Sequence, residues 1–253
     1  MTYASYLKVP ELLSLQVERS AGPDGAEHDE LLFIVVHQVY ELWFKSLRHE
    51  LQGVQLALEE GDTDRALHLL NRVLKILKTL VAQVDVLETM TPLQFLSFRD
   101  RLDSASGFQS AGFRAIEAML GSREASALEA QPEGSNARRT IEEAQSATSV
   151  WDSFLGYLAE RGHPVPAEST VPDERVQDVL IAAYRDDADA GLVAERLVDL
   201  DEGIQEWRYR HVKMVERTIG TKRGTGGSSG VEYLRGTLFR PAFPDLWEIR
   251  SRL

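Results

Sequence analysis

Apolar residues recur along this chain in steps of three and four. After Asp62 they fall at Leu67, Leu70, Leu74, Leu77, Val81 and Val84, one stripe on a helix. Gly61 breaks the chain before it, and Asp62 or Thr63 stands where an N-cap is needed. The preceding segment, from His28 to about Glu60, predicts another long helix with the stripe Phe33, Val36, His37, Tyr40, Phe44, Leu47 and Leu51. Thr91-Pro92 opens a short helix with proline at an early position. Ser106-Gly107 interrupts before a helix from Phe108 to about Leu120. Residues 121–137 are polar and read as a loop, followed by one helix from about Arg138 to Glu160. Pro164, Pro166 and Pro172 make 162–173 an extended connection. Two more helices are expected, from about Asp173 to Arg185 and from Ala188 to Ile219. The glycines of 220–230 exclude a helix there, and beyond them Leu234, Leu238, Phe239 and Phe243 await burial. No stretch alternates as a strand would, and no period repeats. The pattern predicts an all-α fold in a single domain, 1–253.

Composition narrows the chemistry. The 253 residues carry 40 acids against 28 lysines and arginines, a net charge of −12, which disfavours nucleic acid as a partner. There is no cysteine, so disulfides, thiolate zinc, iron–sulfur clusters and cysteine nucleophiles are excluded. A metal would be held by histidine or carboxylate. No apolar run reaches a membrane span of about 20 residues, and the N-terminus lacks the charged-then-apolar order of a signal peptide, so no membrane partner and a cytoplasmic location are expected.

Six histidines are present. His28, His49, His68 and His163 sit among charges or prolines and read as solvent-facing or capping. His37 and His211 differ, because each lies on an apolar stripe; that of His211 is Ile204, Trp207, His211, Met214 and Thr218. A histidine there is ordinarily a hydrogen-bonded core residue. The alternative is a ligand in a haem or non-haem iron pocket, for which one neutral imidazole suffices at haem. Around His211 stand Arg208, Arg210, Lys213, Arg217, Lys222 and Arg223, either a solvated face near a helix C-terminus or partners for haem propionates or a substrate carboxylate. Arg99, between Phe95, Phe98 and Leu102, either snorkels or offers a bidentate fork to a carboxylate. The run Gly224–Gly230 lies between packed elements and reads as a mobile flap with amides open to an anion, not as a phosphate-binding P-loop.

Three segments together resemble the tryptophan 2,3-dioxygenase family: FIVVHQVYELWFK (33–45), ETMTPLQFLSFRDRLDSASGFQS (88–110) and DEGIQEWRYRHVKMVERTIGTKRGTGGSSG (201–230). TYASYL (2–7) and EHDELLF (27–33) are similar to the family's N-terminal motifs. The resemblance implies a helical bundle around haem b, usually a homotetramer, that opens the indole ring of L-tryptophan with O₂ as co-substrate to give N-formylkynurenine. By it, His211 matches the axial ligand of the haem iron. His37 matches a histidine that hydrogen-bonds the indole N–H, and Arg99 an arginine that holds the substrate carboxylate. Thr225 matches a contact to the amino acid's charged end, Phe33 and Phe95 match pocket walls, and Ser106 and Gly107 match a turn beside the O₂ site. Tyr3, Tyr6 and Leu7 match residues that reach a neighbouring subunit's pocket. Ala4 departs from the family's usual glycine and points to one alternative, a related haem monooxygenase that oxidises L-tryptophan or a substituted tryptophan without ring opening; a separate alternative is a haem-binding sensor, which would have no use for Arg99 and the glycine flap together.

Overall fold

The computed structural model describes residues 1–23, 25–222, 224 and 230–253. The chain opens with two short helices, α1 (Tyr3–Leu7) and α2 (Val9–Leu12), which the apolar pattern does not announce. A local signal makes α1: Thr2 and Ser5 form a reciprocal capping box. Neither helix buries a residue.

Helix α3 (His28–Glu59) follows the expected bounds and buries Val36, Tyr40, Phe44, Leu47, Leu51, Val54 and Leu58. Gly61, with φ 70°, turns the chain, and the Asp62 carboxylate accepts the Arg65 N–H at 3.0 Å to start α4 (Thr63–Leu87). The buried stripes of α3 and α4 face each other, and the Tyr40 hydroxyl donates to the Leu80 carbonyl at 3.0 Å across the seam. Thr91 and Gln94 form the capping box of α5 (Pro92–Arg99), which runs into a single 3₁₀ turn, Asp100–Leu102.

Four expectations are corrected. The helix expected from Phe108 begins later, as α6 (Ala111–Met119), because Ser110 accepts the Phe113 N–H and caps it there; Gly107–Gln109 is a 3₁₀ turn. The segment 121–137 is not all loop: α7 (Ala125–Glu129) seats Ala127 in the interior. The single helix expected over 138–160 is two, α8 (Asn136–Ser146) and α9 (Val150–Glu160). Ser149 and Asp152 build a capping box of their own, which ends the first helix's run and starts the next. Beyond the glycines, α12 (Val231–Arg235) and Phe243 do pack inward, but Phe239 is 87% exposed.

Helix α10 (Glu174–Asp186) and helix α11 (Ala188–Ile219) are joined by Asp187, whose carboxylate accepts the Ala190 N–H to cap α11. The last helix, α13 (Pro244–Glu248), is held under α11 by Asp201. This fully buried carboxylate accepts the Phe243 N–H at 3.0 Å, the Trp247 indole N–H at 2.9 Å and the Gln205 amide at 3.1 Å. Helix α4 lies between α3 and α11 in one buried apolar cluster that runs from Val36 to Ile249. The fold is all-α. Among the described residues, no helix is long and apolar enough to cross a membrane.

Candidate active site

A cavity of about 530 Å³ opens where α3, α5, α6 and α11 meet. Its walls follow from helical spacing. On α3, Phe33, His37, Tyr40 and Phe44 face one way; on α11, Trp207, His211, Met214 and Thr218 do. Helix α5 adds Phe95 and Arg99, the following turn adds Ser106 and Gly107, and α6 adds Phe113, Arg114 and Glu117. A volume of this size in mostly apolar walls with a few polar groups is what small-molecule sites have.

The two histidines that stand on apolar stripes both border this space. His37 donates its Nδ1–H to the Phe33 carbonyl at 2.7 Å, one turn back on its own helix. A carbonyl can only accept, so the proton sits on Nδ1 and Nε2 of the neutral ring is an acceptor. Burial pushes the His37 pKa down, more than the Phe33 carbonyl raises it. The ring leans on Phe33, centroids 4.1 Å apart, and Phe33 in turn meets Phe95 at 5.7 Å and Phe98 at 5.5 Å.

His211 lies flat on Trp207, with centroids 5.2 Å apart and planes within 2°. Trp207 is boxed by Phe113 at 4.6 Å, Phe44 at 6.1 Å and Tyr40 at 6.2 Å, which fixes the imidazole plane as well. Burial, with smaller electrostatic contributions from His37 and Arg114, pushes the His211 pKa down to about 4. The ring is therefore a neutral nitrogen donor at ordinary pH.

At one edge of the cavity, Glu117 is shared by two guanidiniums. It accepts from Arg114 at 2.5 Å and from Arg208 at 2.9 Å, and the three side chains are only 11–13% exposed. Arg208 also donates to the Arg240 carbonyl at 2.9 Å. Two arginines on one carboxylate leave a buried positive charge. Among the described residues, the Nε–H groups of Arg114 and Arg208 are buried with no hydrogen-bond partner. The excess positive charge at this edge of the cavity favours an acidic group there.

The family model for tryptophan 2,3-dioxygenase matches residues 1–148 and 127–253. The chain belongs to the tryptophan 2,3-dioxygenase family. It is 59% identical over 260 residues to the tryptophan 2,3-dioxygenase of Anaeromyxobacter sp. (strain K), covering 100% of this chain and 96% of that protein. The enzyme of the same name from Herpetosiphon aurantiacus is 55% identical over 264 residues, 100% of this chain and 98% of its own. That of Pseudomonas fluorescens is 36% identical over 264 residues, again 100% of this chain and 91% of the relative.

Seven of the residues singled out by resemblance to the family, Phe33, His37, Phe95, Arg99, Ser106, Gly107 and His211, line this one cavity. Tyr3, Tyr6 and Leu7 do not: they lie on α1, 79%, 69% and 45% exposed. Thr225 lies outside the described residues, as does most of the glycine run, while Gly224 and Gly230 border the cavity. The basic cluster of α11 divides. Arg208 faces the cavity, whereas Arg210 pairs with Asp85 and Glu88, Arg217 with Glu88 and Lys213 with Glu216. His28, His49 and His68 are exposed, and His163 sits 3.4 Å from Asp187. Sequence reasoning missed Arg114, Glu117 and Glu41. Arg114 and Glu117, three apart on α6, look in the sequence like any surface ion pair.

Proposed function

We propose that the chain is a haem-dependent dioxygenase that adds both atoms of O₂ across the indole C2=C3 bond of L-tryptophan, giving N-formylkynurenine. The observation that carries the reading is His37 and His211 bordering one apolar cavity with Arg99, in a chain of this family. Among the described residues no three histidine, aspartate or glutamate side chains gather as a metal-ion set. His211 is thus a single neutral donor, which suits a metal already held in a macrocycle. The excess positive charge of Arg114 and Arg208 about Glu117, at the cavity wall, suits the acidic groups at a haem edge.

Haem bound through His211 supplies O₂ binding and oxygen-atom transfer. The chain's own residues bind and orient the amino acid. Arg99 pairs with its carboxylate, and Thr225 contacts its charged end. His37 accepts the indole N–H at Nε2, and Phe33 and Phe95 flank the ring. Ser106 and Gly107 close the wall of the cavity, and Phe113, Met214 and Val215 keep it apolar. Fixing one end on Arg99 and the ring on His37 leaves the indole little freedom, which is catalysis by orientation. The neutral state of His37 fits this role, since a protonated ring would offer the indole N–H no lone pair.

The walls of the cavity come from both halves of the chain, Phe33 to Thr237, so we read 1–253 as one working domain. The exposed Tyr3, Tyr6 and Leu7 fit a homotetramer in which α1 reaches a neighbouring subunit's cavity. The test is haem titration and turnover together. The chain should take up one haem, His211→Ala should lose the native Soret band, and the loaded wild-type should convert L-tryptophan to a ring-opened product heavier by two oxygen atoms. Normal haem retention and turnover in His211→Ala would overturn the assignment.

A further inference from the structure

We infer that Glu41 is a positioning residue, whose carboxylate ties the turn at Ser106–Gly107 to α3 one turn beyond His37. The functional half of this inference rests on the proposed reading of the cavity; the tie itself does not. Ser110 donates its hydroxyl to Glu41 Oε1 at 2.6 Å. The same hydroxyl oxygen accepts the Phe113 N–H at 3.2 Å and caps α6, while the Ser110 N–H donates to the Gly107 carbonyl at 3.1 Å. One carboxylate therefore joins α3, the start of α6 and the Gly107 turn.

Gly112 is a second observation at the same joint. A methyl group added there would lie 2.6 Å from Glu41 Oε2 and 3.1 Å from Phe44 Cβ. Helix α6 rides this closely on α3 at the tie, and an alanine would push the carboxylate away from Ser110 without altering either hydrogen-bonding partner. Glu41, Ser106, Gly107 and Ser110 all border the cavity, and Glu41 shares a helix face with His37, four residues earlier. On its far side the turn is held by the Gln131 amide, which donates to the Gln109 carbonyl at 3.0 Å. On the α3 side Glu41 supplies the hydrogen bond, beside the packing of Phe113 on Phe44 with centroids 5.5 Å apart, so Glu41 tunes how far the Ser106–Gly107 wall stands from the helix that carries His37.

Three variants of the full, haem-loaded chain test this: Glu41→Ala, Gly112→Ala and Glu41→Gln. The measurements are amide hydrogen exchange over 104–113, with α10 peptides as an internal control, and kcat/KM for L-tryptophan. Loss of one charge-assisted hydrogen bond should speed exchange across 107–113 by roughly tenfold in Glu41→Ala and Gly112→Ala. kcat/KM should fall by a similar factor, and α10 should not change. Glu41→Gln keeps an acceptor for Ser110 and should restore both quantities to near wild-type. Unchanged exchange in Glu41→Ala, or exchange in Glu41→Gln as fast as in Glu41→Ala, would overturn the tie. Faster exchange with unchanged kcat/KM would overturn the positioning role. A wild-type chain that leaves L-tryptophan untouched yet shows the exchange pattern would overturn the proposed function and uphold the tie.

Discussion

Replacing His37 by alanine removes the one acceptor that this account gives the indole N–H. The geometry sets the size of the effect. Nδ1 is committed to the Phe33 carbonyl at 2.7 Å, so Nε2 alone can meet the substrate, and its removal leaves one buried donor unsatisfied. Such a loss costs about 1–3 kcal/mol, and a middle value of ~2 kcal/mol is a ~30-fold fall in kcat/KM. The comparison that isolates this bond uses 1-methyl-tryptophan, whose indole nitrogen has no hydrogen. Wild-type protein should prefer L-tryptophan by about the same factor, and His37→Ala should lose that preference, a coupling of ~2 kcal/mol in the cycle. The assay is kcat/KM for both substrates on both proteins, normalised to haem content by the Soret band. The acceptor role also dictates a pH profile. Protonation puts a hydrogen on Nε2 and destroys the acceptor, and burial lowers the His37 pKa below 6.5, so the neutral ring persists to lower pH than a free imidazole would. The acid-side midpoint of turnover should therefore lie below pH 6.5. Equal losses for both substrates in His37→Ala, or a decline centred above pH 6.5, would refute the reasoning.

Other consequences are as specific. Arg99→Ala should lower kcat/KM for L-tryptophan by on the order of a hundredfold and change that for tryptamine, which has no carboxylate, far less; equal losses would mean that Arg99 only packs. Asp201→Ala strips the acceptor from the Phe243 N–H and the Trp247 indole and should lower unfolding stability by about 3 kcal/mol in urea titration, while the equivalent change at half-exposed Asp199 should have little effect. Removal of residues 1–15 should leave the monomer core folded, because α1 and α2 bury nothing, but lower the oligomeric mass in light scattering; an unchanged mass would remove α1 from the subunit interface.

The long helices were legible because their stripes are long. In α3, α4 and α11 the apolar steps persist over several turns, and Gly61, Asp62 and Asp187 mark the ends. Elements decided by a few polar contacts were not. The break between α8 and α9 falls in a run without glycine or proline, and its one signal was the Ser149–Asp152 capping box. Helices α1 and α7 are too short for a stripe, so only Thr2 and Ser5 foretold the first. At the site, spacing set His37 and His211 on apolar faces but favoured a core residue over a ligand for each. Resemblance to the family separated them, and the cavity now brings both to one space. The Arg114–Glu117–Arg208 cluster was invisible because it joins side chains 91 residues apart across α6 and α11, and no local pattern records that meeting.

The most direct test of the account is the fate of isotopically labelled oxygen. Haem-loaded wild-type protein is turned over with L-tryptophan under ¹⁸O₂, and the product is weighed by mass spectrometry. Adding both atoms of O₂ to L-tryptophan balances the equation of N-formylkynurenine without an external reductant. The account predicts a ring-opened product carrying two ¹⁸O atoms, formed with no reductant consumed per turnover. A product with one ¹⁸O atom on an intact indole, and a reductant demanded each cycle, would contradict it.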